Sequence, residues 1–369
     1  MKKTLSVALA LLLVLMLAVA CGGDKNESQS PSEDKSVAPT GSPSVSADEK
    51  EGYYLAGLYS EITGDFWGVV YNGGKKAIEE LRAQGHDGYI IAPANYTDIT
   101  LQQEQINQAI IEKADGIVLG PVNADSIGTY ITDTFTDDSM SIVVIDNTLN
   151  STSPAVKAEV MADTAKMGTE CGKMGVAAMN GKGYYVPLGI DITNANWANR
   201  SLYAIEYIEE NAPDMENLVT DNEYGVWWWG QNPEGSSMQY IQDTLTVNPE
   251  KDILFLTTAE AFTNEVVAAL SELKGQIKGE VQIVGFDFSA VGYGLFSNTE
   301  AFYGTCGQNP FLMGYLGFYT LLDVINGELE TGDAPVMIEV PYQNVTRENL
   351  NSEEVKEYVK SMGIEYKEQ

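Results

Sequence analysis

The chain has 369 residues, with 53 acidic against 21 basic side chains and a formal net charge of −32 at pH 7. That balance argues against nucleic acid as a partner, because affinity for it comes mainly from Lys and Arg neutralising phosphates. The one histidine, His86, lies in a turn-like run, Ala83-Gln84-Gly85-His86-Asp87-Gly88, so there is no His pair for a zinc site and little from which to build a Ser-His-Asp arrangement.

Residues Val7 to Ala20 form an unbroken apolar run behind Lys2 and Lys3, ending in Leu17-Ala18-Val19-Ala20-Cys21-Gly22. A basic start, a short apolar core and small residues at the cut make 1–20 a signal peptide, and the protein is expected to be exported. The run is shorter than the roughly 20 residues of a spanning helix. Cysteine directly after Val-Ala resembles the lipobox of bacterial lipoproteins, although Ala18 stands where Leu fits the pattern better. That resemblance implies a lipidated Cys21, anchored to the outer face of the cell membrane without spanning it; a secreted protein with an incidental cysteine is the alternative. Residues 21–51 are rich in Ser, Pro, Gly and charge and nearly free of large apolar residues. Such a segment cannot offset its ordering entropy by burial, so it reads as a lipid-anchored disordered tether. The folded part then spans about 318 residues from Gly52, long for a single core and suggesting two lobes.

From Tyr53 onward, apolar runs of strand length alternate with segments of helical period. The runs are Tyr53–Tyr59, Tyr89–Ala92, Gly116–Leu119, Ile142–Ile145, Tyr184–Leu188, Ile253–Leu256 and Val281–Phe286. Continuous rather than alternating apolar strands indicate sheets covered on both faces, hence parallel strands with helical crossovers and an α/β fold. Phe66–Gln84, closed by Gly85, and Leu101–Lys113 read as two of the helices. About nine strands over this length are better divided between two sheets than carried by one. Cys171 and Cys306, the thiols other than Cys21, are either a disulfide or two buried thiols.

In open α/β sheets ligands bind beyond the carboxyl ends of strands. Ile142–Ile145 ends in Asp146-Asn147 and Val281–Phe286 ends in Asp287, so each half has a carboxylate at a strand end. Taken alone, each Asp reads better as the cap of a following helix or turn. Phe66-Trp67 open the helix after the first strand, Trp197 follows Asn196, and Trp227-Trp228-Trp229 cannot all point one way in a strand. Sealing of the packing accounts for two of the last three rings. Aromatic faces beside carboxylates and amides suit a neutral polyhydroxylated ligand.

These residues, in this order, resemble the type I solute-binding proteins of bacterial ABC importers, the ribose/galactose-type sugar-binding group. The resemblance covers nearly all of residues 53–345 and rests on Thr63-Gly64-Asp65-Phe66-Trp67, Ala114-Asp115-Gly116-Ile117-Val118-Leu119-Gly120-Pro121, Ile145-Asp146-Asn147, Asp163 with Gly168, Val284-Gly285-Phe286-Asp287, and Gly307-Gln308-Asn309-Pro310 followed by Met313-Gly314. It implies two Rossmann-like lobes with parallel sheets, 52–161 with 309–340 and 162–308 with 341–369. Three crossovers would join them, near Met161-Ala162-Asp163, Cys306-Gly307-Gln308 and Val340-Pro341-Tyr342. The ligand-binding set it implies is Phe66, Trp67, Asp146, Asn147, Trp197, Arg200, Trp228, Glu260, Asp287 and Gln308. The family's arginine falls on Arg200, or its place on Ala198. Thr257-Thr258-Ala259-Glu260 stands where Asn-Asp is usual, and Gly64 and Asp65 replace Asn and Pro before the aromatic pair, so the particular sugar is not assigned. No cofactor, metal site or catalytic residue is expected; the partners are a sugar-like small molecule and a membrane permease, and the protein is expected to be a monomer. A nucleoside, an autoinducer or another non-sugar ligand, or a sensory role in chemotaxis, is the alternative. A sugar-responsive repressor would need a DNA-binding module where the signal peptide stands, and an enzyme using Asp146 and Asp287 would need a device for tuning their pKa values.

Overall fold

The computed structural model describes residues 52–232 and 236–366. The expected signal peptide, Cys21 and the tether lie outside those residues, as do the last three residues of the chain.

The first sheet has six strands, β1 (Tyr54–Leu58), β2 (Asp87–Ile91), β3 (Gly116–Leu119), β4 (Ser141–Ile145), β5 (Val156–Met161) and β12 (Val336–Glu339). Their order is β12-β5-β4-β3-β1-β2, parallel throughout. The second sheet contains β6 (Lys182–Gly189), β7 (Asp214–Asn217), the two-residue β8 (Trp227–Trp228), β9 (Ile253–Thr257), β10 (Val281–Phe286), β11 (Phe302–Gly307) and β13 (Gln343–Thr346). It runs β13-β11-β10-β9-β6-β7, with β8 beside β6. β13 is antiparallel to β11, a departure from the all-parallel expectation that an edge strand can make without a crossover helix.

Among the described residues ten α-helices cover the sheets: α1 (Trp67–Ala83), α2 (Ile99–Ile111), α3 (Ala124–Thr134), α4 (Thr164–Ala178), α5 (Ala195–Asn211), α6 (Ser237–Val247), α7 (Glu260–Glu272), α8 (Ala290–Asn298), α9 (Pro310–Ile325) and α10 (Glu353–Ser361). Successive strand residues bury on opposite faces. Ile117, Leu119, Ile142 and Val144 pack with Ile106 of α2 and Ile131 of α3, whereas Val118, Val143 and Ile145 join Val70 of α1 and Phe318 of α9. In the second sheet, Leu254, Leu256 and Phe286 pack toward Met167 and Cys171 of α4 and Ile208 of α5; Phe255 and Ile283 pack toward Ile241 and Val266 on the other face. Both sheets are therefore covered on both sides, the reason their strands read as unbroken apolar runs.

The chain passes between the sheets after β5, after β11 and between β12 and β13. Cys171 and Cys306 are buried free thiols. His86 sits in the turn after α1, its ring stacked on Tyr53 at 5.3 Å and its Nδ1 accepting from the Tyr53 amide. Among the described residues no helix is long and apolar enough to cross a membrane.

Candidate functional site

The carboxyl ends of β1, β3 and β4 in one sheet and of β6, β9, β10 and β11 in the other converge on a cavity of about 220 Å³. Eight of the ten residues expected to bind ligand line it: Phe66, Trp67, Asp146, Asn147, Trp197, Arg200, Asp287 and Gln308.

Asp146 and Asp287 occupy equivalent places. Asp146 follows β4 and its amide donates to Val160 O of the neighbouring β5 at 3.2 Å; Asp287 follows β10 and its amide donates to Cys306 O of β11 at 3.0 Å. Both have left-handed backbones, φ 68° and 70°, which Asp tolerates better than most residues. Neither caps a helix; in this part of the molecule the caps are Asp163, Asn194 and Ser289. The turn that a left-handed residue makes at a strand end instead aims each carboxylate at the gap.

Their surroundings differ. Asp287 accepts from Arg200 Nη1 at 3.3 Å and from Gln308 Nε2 at 2.7 Å. Arg200 is itself fixed: 6% exposed, it donates to Thr258 O at 2.9 Å and lies 4.1 Å above the Phe286 ring. Among the described residues its Nε has no partner. Ala198 is buried and does not line the cavity, so the guanidinium at the site is that of Arg200. Among the described residues the Asp146 carboxylate accepts only from the neighbouring Asn147 Nδ2, at 2.8 Å. Burial pushes its carboxyl up to about 7, Asp287 adds to the rise and Arg200 opposes it.

On the wall opposite, Trp67 packs its ring against Gly120, where a Cβ would stand 2.5 Å from the indole, and tilts against Tyr59 at 5.9 Å. Phe66 meets Trp67 edge to face at 5.8 Å. Two rings thus begin α1 without a capping side chain, exchanging helix-end stability for aromatic surface at the gap.

One expectation is corrected. Trp228 does not line the cavity: it is 1% exposed, with its ring lodged against Gly189, and Trp229 is the ring of the three that leaves the core, at 49% exposure. Glu260 stands in an adjoining cavity, where its carboxylate accepts from Ser289 N, Ser289 Oγ and Gly292 N at 2.6 to 3.1 Å and so ties the start of α8. Burial raises its pKa against the Ser289 hydrogen bonds, with Asp287 and Asp65 adding to the rise.

Sequence reasoning missed Tyr96 and Asn123, which line the cavity from loops, and the roles of Asn194 and Asn196. Asn194 caps α5 and also donates to Asn147 Oδ1 at 3.2 Å, and Asn196 donates to Asp146 O at 2.7 Å. These bonds cross from the second sheet's side of the cavity to the first. The available signal was the run Asn194-Ala195-Asn196 at a strand-to-helix turn, which reads as capping alone. Among the described residues no cluster of His, Cys, Asp and Glu could hold a metal ion.

The model of a periplasmic binding protein domain matches residues 58–329, well over half of the sequence. The chain belongs to the periplasmic binding protein family. It is thus a solute-binding protein that works outside the cytoplasmic membrane, not an enzyme. No curated protein matches it. Among solved structures, a carbohydrate transporter solute-binding protein from Agrobacterium radiobacter, in complex with D-arabinose, superposes with a TM-score of 0.66 at 20% identity, over 84% of this chain and 99% of the other. A Bacillus halodurans C-125 solute-binding protein with bound myo-inositol gives 0.67 at 16% identity, over 85% and 99%. A glucose-galactose binding protein from Geobacillus stearothermophilus gives 0.63 at 20%, over 82% and 100%. The likeness to these periplasmic binding proteins is one of fold: two lobes, each built on a mostly parallel sheet.

Proposed function

We propose that this protein is the extracytoplasmic substrate-binding lipoprotein of an ABC importer, which captures a small neutral ligand, a monosaccharide, between two lobes and delivers it to a membrane permease. The observation that carries this reading is the cavity between the strand ends, with two stacking rings on one side and a carboxylate from each sheet. Carboxylates and amides accept and donate strong hydrogen bonds to hydroxyls, and aromatic faces cover the apolar face of a sugar ring. The solved relatives that carry D-arabinose, D-fucose and myo-inositol support the same ligand class.

The lobes are taken as 52–161 with 309–340 and 162–308 with 341–369, with Phe66, Trp67, Asp146 and Asn147 on the first and Trp197, Arg200 and Asp287 on the second. Ligand touching both has a higher affinity for the closed form, and only such a difference shifts an open–closed equilibrium. The three crossovers then absorb the rotation. A monomer held by lipidated Cys21 and the 21–51 tether stays at high effective concentration near its permease. A thermal-shift panel of sugars, polyols and nucleosides tests the reading. A ligand at one hundred times its Kd stabilises the folded state by about 2.7 kcal/mol, so at least one sugar should raise the unfolding temperature; a response confined to nucleosides would refute the assignment.

A further inference from the structure

The cavity described above is one of two that adjoin across a shared wall. The second, of about 280 Å³, is larger and lies on the other side of Phe66, Asp287 and Gln308, which line both. A single sugar ring seated against Trp67, Asp146 and Asn147 would leave it unfilled. We infer that the natural ligand is a disaccharide or a glycoside, with one ring in the Trp67–Asp146 compartment and the second in the compartment walled by Asp65, Glu260, Asn264 and Phe288. This rests on the sugar-binding reading and narrows it.

The second compartment is equipped as the first is, with one aromatic wall and an excess of acceptors. Phe66 and Phe288 supply the apolar surface. Asp65, Glu260 and Asp287 supply carboxylates, which only accept when ionised. Three protein hydrogen bonds occupy the Glu260 oxygens and two occupy those of Asp287, so lone pairs remain on each. Asp65 and Asn264 face the same space, and among the described residues their side chains have no hydrogen-bond partner. A space rich in unanswered acceptors is matched by a group rich in hydroxyl donors. Among the described residues no Lys or Arg lines this compartment, so an anionic second unit is disfavoured.

The wall between the compartments suits a glycosidic link. Gln308 donates to Asp287 Oδ1 at 2.7 Å, and this pair, with Phe66, lines both compartments, so a two-ring ligand that spans them passes along it. The second compartment is not a closed end, because a third cavity of about 560 Å³ shares Asp65, Phe288 and Ser289 with it. A longer ligand could continue that way.

Titration calorimetry on the full chain tests this with D-glucose, D-galactose and D-arabinose against lactose, melibiose, cellobiose and maltose. At least one disaccharide should bind tenfold or more tightly than either of its component sugars. Asn264→Trp, which fills the second compartment, should abolish that advantage while leaving monosaccharide affinity within twofold. Should that variant fail to fold, Ala261→Phe serves the same purpose, and Asn264→Ala should lower disaccharide affinity alone, by three- to tenfold. The inference falls, and the sugar-binding reading stands, if monosaccharides bind as tightly as every disaccharide or if the filling variants weaken both classes alike. If no sugar of either size binds, both fall together.

Discussion

Replacing Asp146 with Asn should make the ligand-free protein more stable at pH 8 and leave it unchanged at pH 4. Burial lifts the carboxyl from an ordinary value of 3.8 to about 7. Between those limits the folded chain holds a proton that the unfolded chain has released. Stability must therefore fall as the pH rises from about 4 to about 7, because the folded state has to ionise a carboxyl it has partly removed from water. A shift of roughly three units corresponds to at most about 4 kcal/mol, and since the cavity is open to water we expect about 2–4 kcal/mol. Denaturant unfolding of wild type and Asp146→Asn at pH 4, 6 and 8 measures this as a difference that grows with pH. Binding should show the converse. A ligand hydroxyl donating to Asp146 favours the ionised form, so wild-type affinity should climb with pH up to about 7, by as much as tenfold per unit, with a proton released on binding. Stability curves that run parallel across pH 4–8 would refute the argument, since Asp146 would then be ionised in the fold at no cost.

Three further changes bear on the same machinery. Gly120→Ala places a methyl 2.5 Å from the Trp67 indole; overpacking of about 1–3 kcal/mol should displace the ring and lower ligand affinity at least fivefold by calorimetry, and unchanged binding would show that Trp67 takes no part. Asn196→Ala removes the 2.7 Å bond to Asp146 O and should enlarge the ligand-free radius of gyration in solution scattering, with saturating ligand restoring it; equal radii for variant and wild type would exclude a role in closure. Cys21→Ala should move the protein from membranes to the soluble fraction, whereas an unmodified Cys21 found by mass spectrometry in native membranes would refute the anchor.

The architecture was legible in the sequence because two-sided burial leaves little freedom in residue type: Gly116–Leu119 and Ile142–Ile145 have no solvent face and so no polar residues. The edge strands β12 and β13 escaped for the opposite reason. β12 alternates half-buried and exposed residues, and β13 reads Gln-Asn-Val-Thr. The strand-end carboxylates were legible as positions, but not the contrast between them, since the guanidinium that answers Asp287 arrives from a helix 87 residues earlier. Trp228 was misread because the space it fills exists only by virtue of the missing side chain at Gly189. The tie that Glu260 makes to the start of α8 was not legible, because its partners, Ser289 and Gly292, belong to another element.

The matched placement of Asp146 and Asp287, each left-handed at the end of the fourth strand in the core order of its sheet and each bonded to the fifth, makes the cleft a doubled structure in which two copies of one turn have been set to different tasks. One copy is bonded to an arginine and a glutamine; the other is bonded to neither. Divergence between paralogues can then proceed on one side at a time. On the proposed reading, residues around Asp146 can be exchanged to suit a new solute while the Asp287 half keeps its bonds to Arg200 and Gln308.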